Sequence, residues 1–402
     1  MDTLSAIRVG ITVRDLARVR YKGLNGELFR SGCKQHSLMF VTLVKNMGCT
    51  PVLVGTTSSN TTLPRSLDGI EICDLSNLNG LRTLDVLFCP GLLPSRNTLR
   101  ALRKVNIKVI DVILGNMFQY DIWSLFHTLD DPKNPYRVRI TLGDIADETW
   151  ISPHFAYTKE YYEFLFGREK VHVMPYFWEP RYCMDRRNVM PLEREHIKVA
   201  IMESNQTWGK NCMIPLLACN IACKCIEKTS VFGVQGLVSG DTPRARCLKR
   251  LIEHTDLWMS KKLTIQPRLS APYIFTSLAN VVVSHVDSWD LNFLHLECFY
   301  LGIPLIHNSK PLKNYGFYYS GHSATDAAAW IQKLHQDGFD RDAYIKRNKG
   351  ALQQFSVESA GVLSFYKNKI KEFTKSSVQS RQKNHKNRDS LSRGLSITRV
   401  TG

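Results

Sequence analysis

The chain has 402 residues and a mass of 45.9 kDa, with 44% hydrophobic and 22% charged residues. That is enough for two domains with a core each; it excludes a disordered or fibrous chain, and the lack of any apolar run of about 18 residues excludes a transmembrane helix. Fifty-three Lys and Arg against 36 Asp and Glu leave a net charge of +17, a surplus that favours polyanionic partners such as nucleotide phosphates, nucleic acid or acidic lipid headgroups.

The surplus is uneven. From Lys367 to Gly402 ten Lys and Arg face only Glu372 and Asp389, a local net charge of +8. The opening stretch MDTLSAIRVGITVRD has no secretory pattern, and eleven cysteines at irregular spacings read as reduced thiols of a cytoplasmic protein. An odd number also argues against a complete disulfide framework.

In chain order, Ile7–Val13 is a β-rich run and the expected first strand, followed by a glycine-bearing loop from Gly23 to Gly32 and a helical pattern from Lys34 to Lys45. Pro51–Gly55, Val86–Cys89 and Val105–Ile113 are short apolar runs that read as buried strands, with a helix over Asn97–Val105 between the last two. A second series begins with the strand Ile197–Met202 and the helix Asn211–Cys225. It continues through the helix Thr242–His254, a strand near Leu263–Pro267, the helix Ala271–Leu278 and the strand Asn280–His285. The helix Leu291–Leu301, the strand Ile303–His307 and helices over Ala324–Gln336, Arg341–Phe355 and Glu358–Phe373 complete it. Strands that alternate with helices predict parallel sheets covered on both faces. The expectation is an α/β protein of two Rossmann-like domains, 1–185 and 186–375, joined near Phe177–Pro191 and facing across a cleft. The segment 376–402, rich in Ser, Asn, Lys and Arg, is expected to be a basic disordered tail.

Such a cleft lies at the carboxyl ends of both sheets, where open α/β folds bind ligands. Four places there carry suitable residues. In HLECFYLGIPLIHNS, His295–Ser309, a helix stops at Gly302 and places Glu297 near the cleft, where a carboxylate suits the paired hydroxyls of a ribose. Asn308 and Ser309 follow the next strand, where small residues and backbone N–H groups suit a diphosphate. The alternative is a surface Glu on an amphipathic helix with an ordinary glycine stop. In MESNQTWGKNCMIP, Met202–Pro215, Lys210 stands just before a helix, so cation and helix terminus can act together on a leaving diphosphate, with Glu203 and Asn205 fixing the loop or reaching the donor. An exposed loop lysine is the plainer account. Gly26, Gly32 and Gln35 lie on the loop and helix after the first strand, where glycines permit close backbone approach or simply make a turn. Asn116, in the Gly115–Asn116 pair, can bond a sugar hydroxyl, and His154 can act as general base, or serve as a structural histidine at a strand end. Cys219, Cys223 and Cys225 do not have zinc-site spacing, and no Asp-x-Asp motif stands out, so no metal is expected.

The pattern Glu297, Gly302, Pro304, Leu305 resembles the nucleotide-sugar signature of GT-B glycosyltransferases. The longer stretch Trp289–Tyr319 is similar to domain-of-unknown-function family 2827 of bacterial and phage proteins, and the similarity extends to about residue 375. The resemblance implies a GT-B glycosyltransferase with an acceptor-side N-terminal domain and a donor-binding C-terminal domain. Glu297 would hold the ribose, Lys210 with Asn308 and Ser309 the diphosphate, and Asn116 or His154 the reacting end, while Gly32 and Gln35 match the loop-to-helix position that approaches donor and acceptor. The nucleotide sugar is then a substrate and no cofactor is implied. Many retaining members carry a second Glu eight positions before the one matching Glu297; here that position is Trp289, which leaves inversion or retention undecided. The acceptor is either a cell-envelope glycan or lipid carrier, with the basic tail on anionic membrane, or a modified base in DNA. The competing class is a non-catalytic nucleotide-sugar or nucleic-acid binding protein of the same fold.

Overall fold

In the computed structural model, the residues described are 4–14, 16, 32–56, 67, 69–90, 92–127, 145–203, 205, 208–226, 230–232, 243–266 and 269–374. Gly26 and the segment 376–402 lie outside them. Two parallel sheets account for every named strand. The first contains β1 (Arg8–Thr12), β2 (Thr50–Gly55), β3 (Glu71–Asp74), β4 (Val86–Pro90), β5 (Lys108–Ile113), β6 (Glu148–Ile151) and β7 (Val171–Val173), in the order β3-β2-β1-β4-β5-β6-β7. The second contains β8 (Lys198–Ala200), β9 (Ser230–Phe232), β10 (Leu263–Thr264), β11 (Val281–Val283), β12 (Leu305–His307) and β13 (Phe317–Tyr318), in the order β10-β9-β8-β11-β12-β13. Register places Val9 between Pro51 and Val86 in one sheet, and Val282 between Ala200 and Leu305 in the other.

Each order reverses once, between β1 and β4 and between β8 and β11. Chains leaving the carboxyl ends of those neighbouring strands travel to opposite faces of the sheet, which opens a crevice at the reversal. The loops after β8 and β11 carry residues 201–212 and 284–292, so topology alone brings Glu203 and Lys210 to the same rim as Trp289.

The central strands are sealed on both faces, as their unbroken apolar runs require. One continuous core joins the lobes: Phe40, Phe88 and Trp150 of the first lobe meet Phe177 and Trp178 of the connection, and Phe293 and Phe299 of the second. The final helix, 360–374, expected within the second domain, packs against the first sheet instead. The Tyr366 ring lies 5.4 Å from Phe40 and 5.5 Å from Trp150, Tyr366 Oη donates to the Pro175 carbonyl at 3.1 Å, and Lys369 pairs with Glu148 at 3.4 Å. This return ties the end of the chain to the first lobe.

The helix Phe293–Leu301 is held at both ends. The Asn292 side chain accepts from Leu294 N, and Gly302 closes it in the left-handed region at φ 72°. A Cβ at Gly302 would stand 2.7 Å from Arg341 Cγ, so both dihedral and space exclude a side chain. Gly302→Ala is expected to lower stability by about 1–3 kcal/mol, read as a fall in the melting temperature.

Candidate active site

The loop after β8 is shaped by its own side chains. Asn205 adopts φ 52°, which Asn tolerates; its Oδ1 accepts from Cys212 N at 2.8 Å and its Nδ2 donates to the Glu203 carbonyl at 3.3 Å. Asn205 therefore fixes the loop ahead of the helix Met213–Ala222. Gly209 O accepts from Asp287 N at 2.9 Å, and a Cβ on Gly209 would meet Asp287 O at 2.4 Å. Only glycine lets the two loops cross there. The crossing sets the Lys210 ammonium 4.6 Å from the centre of the Trp289 ring, a cation–π contact.

Trp289 projects from the second lobe into the first. Its indole N–H donates to Gln119 Oε1 at 2.8 Å, and Tyr120 and Phe155 meet the ring edge-on at 5.8 and 5.5 Å. Gly115 presents bare backbone to the same ring, since a Cβ there would lie 3.4 Å from it. Asn116 completes the join: its Nδ2 donates to the Ser288 carbonyl at 3.2 Å and to Tyr157 Oη, while its Oδ1 accepts from Gln119 N at 3.1 Å. Both donor hydrogens of the amide are used. Asn116 is thus an interlobe strut rather than the sugar ligand expected from sequence.

Glu297 is buried on the inner face of Phe293–Leu301, and Gln35 Nε2 donates to its Oε1 at 3.1 Å across the seam. The alternative of a surface Glu does not hold. Burial lifts its carboxyl from the usual 4.5 to about 7, with the Gln35 hydrogen bond pulling the other way. The cavity touching Glu297, lined by Cys183, Met184, Ala271, Pro272, Phe275 and Leu301, encloses about 10 Å³, room for one water. Gly32, at the start of the helix Gly32–Asn46, faces the Phe293 ring 3.6 Å from where its Cβ would be.

Behind Lys210, a buried chain runs from Glu203 through Ser284 to His295. Ser284 Oγ donates to Glu203 Oε1 at 2.6 Å, so it accepts from His295 Nε2 at 2.9 Å, which leaves Nδ1 as the lone-pair nitrogen. Burial raises the Glu203 carboxyl, partly offset by Ser284 and Lys210. His295 Nδ1, His154 Nδ1 and His36 Nε2 are all buried without a hydrogen-bond partner among the described residues. Burial holds His36 and His154 down to about 3, the charges of Lys210 and His36 adding to the effect on His154. His295 is held well below its usual value by burial and then by His307 and Lys210. All three rings are neutral at ordinary pH. His154 is in consequence a weaker base than an unperturbed imidazole.

The side chains of Asn308 and Ser309 are committed elsewhere than to a diphosphate. Asn308 Oδ1 accepts from Val286 N and its Nδ2 donates to the Val286 carbonyl, both at 2.9 Å, while Ser309 Oγ donates to the Asp290 carbonyl. They pin the 286–290 loop that carries Trp289. Among the described residues no group of three or more His, Cys, Asp or Glu has metal-site geometry.

The model of the family described as "Protein of unknown function (DUF2827)" matches residues 9–370. The chain belongs to this family. Among solved structures of similar fold are a glycosyltransferase from Rickettsia africae ESF-5 and Anabaena HepE in complex with UDP-glucose. The first is 15% identical with a TM-score of 0.57, covering 92% of this chain and 99% of that one. The second is 12% identical with a TM-score of 0.54, covering 92% and 100%. Sucrose-phosphate synthase from Thermosynechococcus elongatus is also 12% identical, at a TM-score of 0.51 and coverages of 92% and 99%. These likenesses show a common two-lobed fold of the GT-B kind. No curated protein matches the chain in sequence.

The sequence signature leaves out the partners of the residues it names. Gln119, Ser284, His36 and Tyr157 carry no motif of their own. Trp289 stood out only as a missing Glu. The raised Glu297 carboxyl has a stability consequence: its contribution is complete below pH 4.5, where folded and unfolded chains are both protonated, and is lost as pH rises through about 7. Glu297→Gln is expected to match wild type near pH 5 and to exceed it by about 2–3 kcal/mol at pH 8, measured by denaturant unfolding at both.

Proposed function

We propose that this protein transfers a sugar from a nucleoside-diphosphate sugar to an acceptor hydroxyl at the seam between its two lobes. The observation that carries the reading is a seam that holds a buried carboxylate against the other lobe, a cation close enough to lower His154 and His295, and three imidazole nitrogens without a hydrogen-bond partner among the described residues. Buried polar atoms without partners are costly unless a ligand supplies them. The fold shared with the Rickettsia africae glycosyltransferase and with HepE, whose structure holds UDP-glucose, supports the same class of donor.

In this reading the acceptor oxygen attacks the anomeric carbon, the bond from that carbon to the β-phosphate oxygen breaks, and its electron pair leaves on the diphosphate. Lys210 stabilises the charge that develops there, and no metal is called upon. Glu297 exchanges the Gln35 amide for two ribose hydroxyls, which satisfy more of its lone pairs. His154 Nδ1 takes the proton of the acceptor hydroxyl as its oxygen attacks; burial is what mainly depresses this ring, and a diphosphate beside Lys210 offsets the smaller effect of that charge. Gln35 and Gly32 line the opposite wall. Asn205, Asn308, Ser309 and Asn116 act through the loops they fix. Inversion or retention follows from which face of the sugar the acceptor meets, and Trp289 supplies no carboxylate for a second displacement.

A thermal-shift screen against UDP-, GDP-, CMP- and dTDP-sugars is expected to give a hit with one nucleotide, because ligand that binds only the folded state raises its stability. With that donor, Lys210→Ala is expected to lower kcat by about 10²–10³-fold, and Glu297→Ala to weaken donor binding by about 10–100-fold. Donor binding without transfer or hydrolysis by wild type would favour a binding protein over an enzyme.

A further inference from the structure

Half of the ten large apolar side chains that stand exposed among the described residues gather on three helices of the second lobe. They are Leu217 and Ile221 on Met213–Ala222, Leu251 on Pro243–Glu253, and Trp258 and Met259 on Asp256–Met259, with Met259 65% and Trp258 36% exposed. The helices adjoin. Asn220 donates to Asp256 Oδ2 at 3.2 Å and accepts from Leu257 N at 3.1 Å, and Lys224 pairs with Asp256 at 3.1 Å. Positions 217, 220 and 221 form one stripe of the helix, and Lys224 follows in the turn after it. Leu217 and Ile221 therefore run along the line where the Trp258–Met259 turn is fastened.

The same face is basic. Over 213–226 and 246–262, six Lys and Arg stand against Glu253 and Asp256 alone, a surplus of four. Lys224 and Lys249 are paired with those acids, whereas Arg250 and Lys261 are exposed. Topology puts Trp258 and Met259 just before β10, at the amino end of the second sheet and so opposite the seam.

We propose that this face rests on an anionic lipid surface, with Trp258 and Met259 at headgroup depth and Arg250 and Lys261 against lipid phosphates. Apolar side chains fringed by cations are the composition of an interfacial contact, and Trp favours that depth. A two-fold contact with a second copy would set the surplus of positive charge against itself. A nucleic-acid backbone would use the cations but not Leu217, Ile221 and Met259. Docking at the amino end leaves the seam open, and it holds whether or not the seam transfers a sugar.

The full chain is sedimented with vesicles of phosphatidylcholine alone and of phosphatidylcholine mixed with phosphatidylglycerol. Binding is expected only to the second, and to weaken with salt. Met259→Asp is expected to lower the partition coefficient about 10-fold. Arg250→Gln with Lys261→Asn is expected to lower it about 25-fold, near 5-fold per cation; Asn suits the φ of 58° at position 261. Unchanged melting temperatures show that the variants fold. Equal binding to both vesicles, or binding that survives all three substitutions and so belongs to another basic segment, overturns the proposal. So does a dimer in solution that Met259→Asp dissolves, or loss of vesicle binding to competing duplex DNA at the same salt.

Discussion

A carboxylate closed off from water between two sheets is the constraint around which the rest of the structure is arranged. Glu297 is buried, and among the described residues the Gln35 amide supplies its one hydrogen bond. A carboxylate can accept several, so this one is held in an under-satisfied state and its proton affinity rises accordingly. The helix that carries it cannot turn the side chain away, because Asn292 and Gly302 fix its ends and the neighbouring Phe293 and Leu296 fill the core. The cost is carried by the apolar seam around it, which runs unbroken from Phe40 to Phe299. A ligand with two vicinal hydroxyls would relieve it where a single amide cannot.

The lobes meet closely where Gly209 lies bare, since a Cβ there would strike Asp287 O and the Trp289 indole. Charge at this buried seam is sparse and strongly felt. Burial sets the protonation of His154, His295 and Glu203, and Lys210 adds to it, lowering both rings further and offsetting part of the rise at Glu203. Such an environment is preorganised for an anion: it offers a fixed positive charge among neutral rings with little water to reorient.

Much of the fold was legible because parallel strands buried on both faces are written as apolar runs. Pro51–Gly55, Val86–Cys89, Asn280–His285 and Ile303–His307 each coincide with a strand to within a few residues. Five strands were not foreseen: β3 is Glu-Ile-Cys-Asp at a sheet edge, β6 begins with Glu148, and β7, β9 and β13 have only two or three residues each. The final helix reads as a helix, but nothing local says that it returns to the first lobe, since Tyr366 meets Phe40 across more than three hundred residues. At the site, Glu297 and Lys210 announce themselves by spacing. Asn308 and Ser309 read as diphosphate ligands because small residues and backbone N–H groups follow the strand, and Asn116 as a sugar ligand; their side chains bond Val286, Asp290, Ser288 and Tyr157 instead, which composition cannot reveal.

Trp289 changes what the seam demands of a donor. Its indole covers Lys210 and is itself anchored by Gln119 of the other lobe. The cavity beside Glu297 holds about one water, against the few hundred Å³ that a ligand of nucleotide size occupies. Parting the lobes to admit a nucleotide sugar would break the Trp289–Gln119, Asn116–Ser288 and Gln35–Glu297 bonds together. Each of these joins a side chain of the first lobe to the second, so a donor bound there would have to replace what they supply. Donor affinity is then the difference between two closed states, one sealed by protein groups and one by ligand. Discrimination between donors resides in how well each replaces what the seam already has.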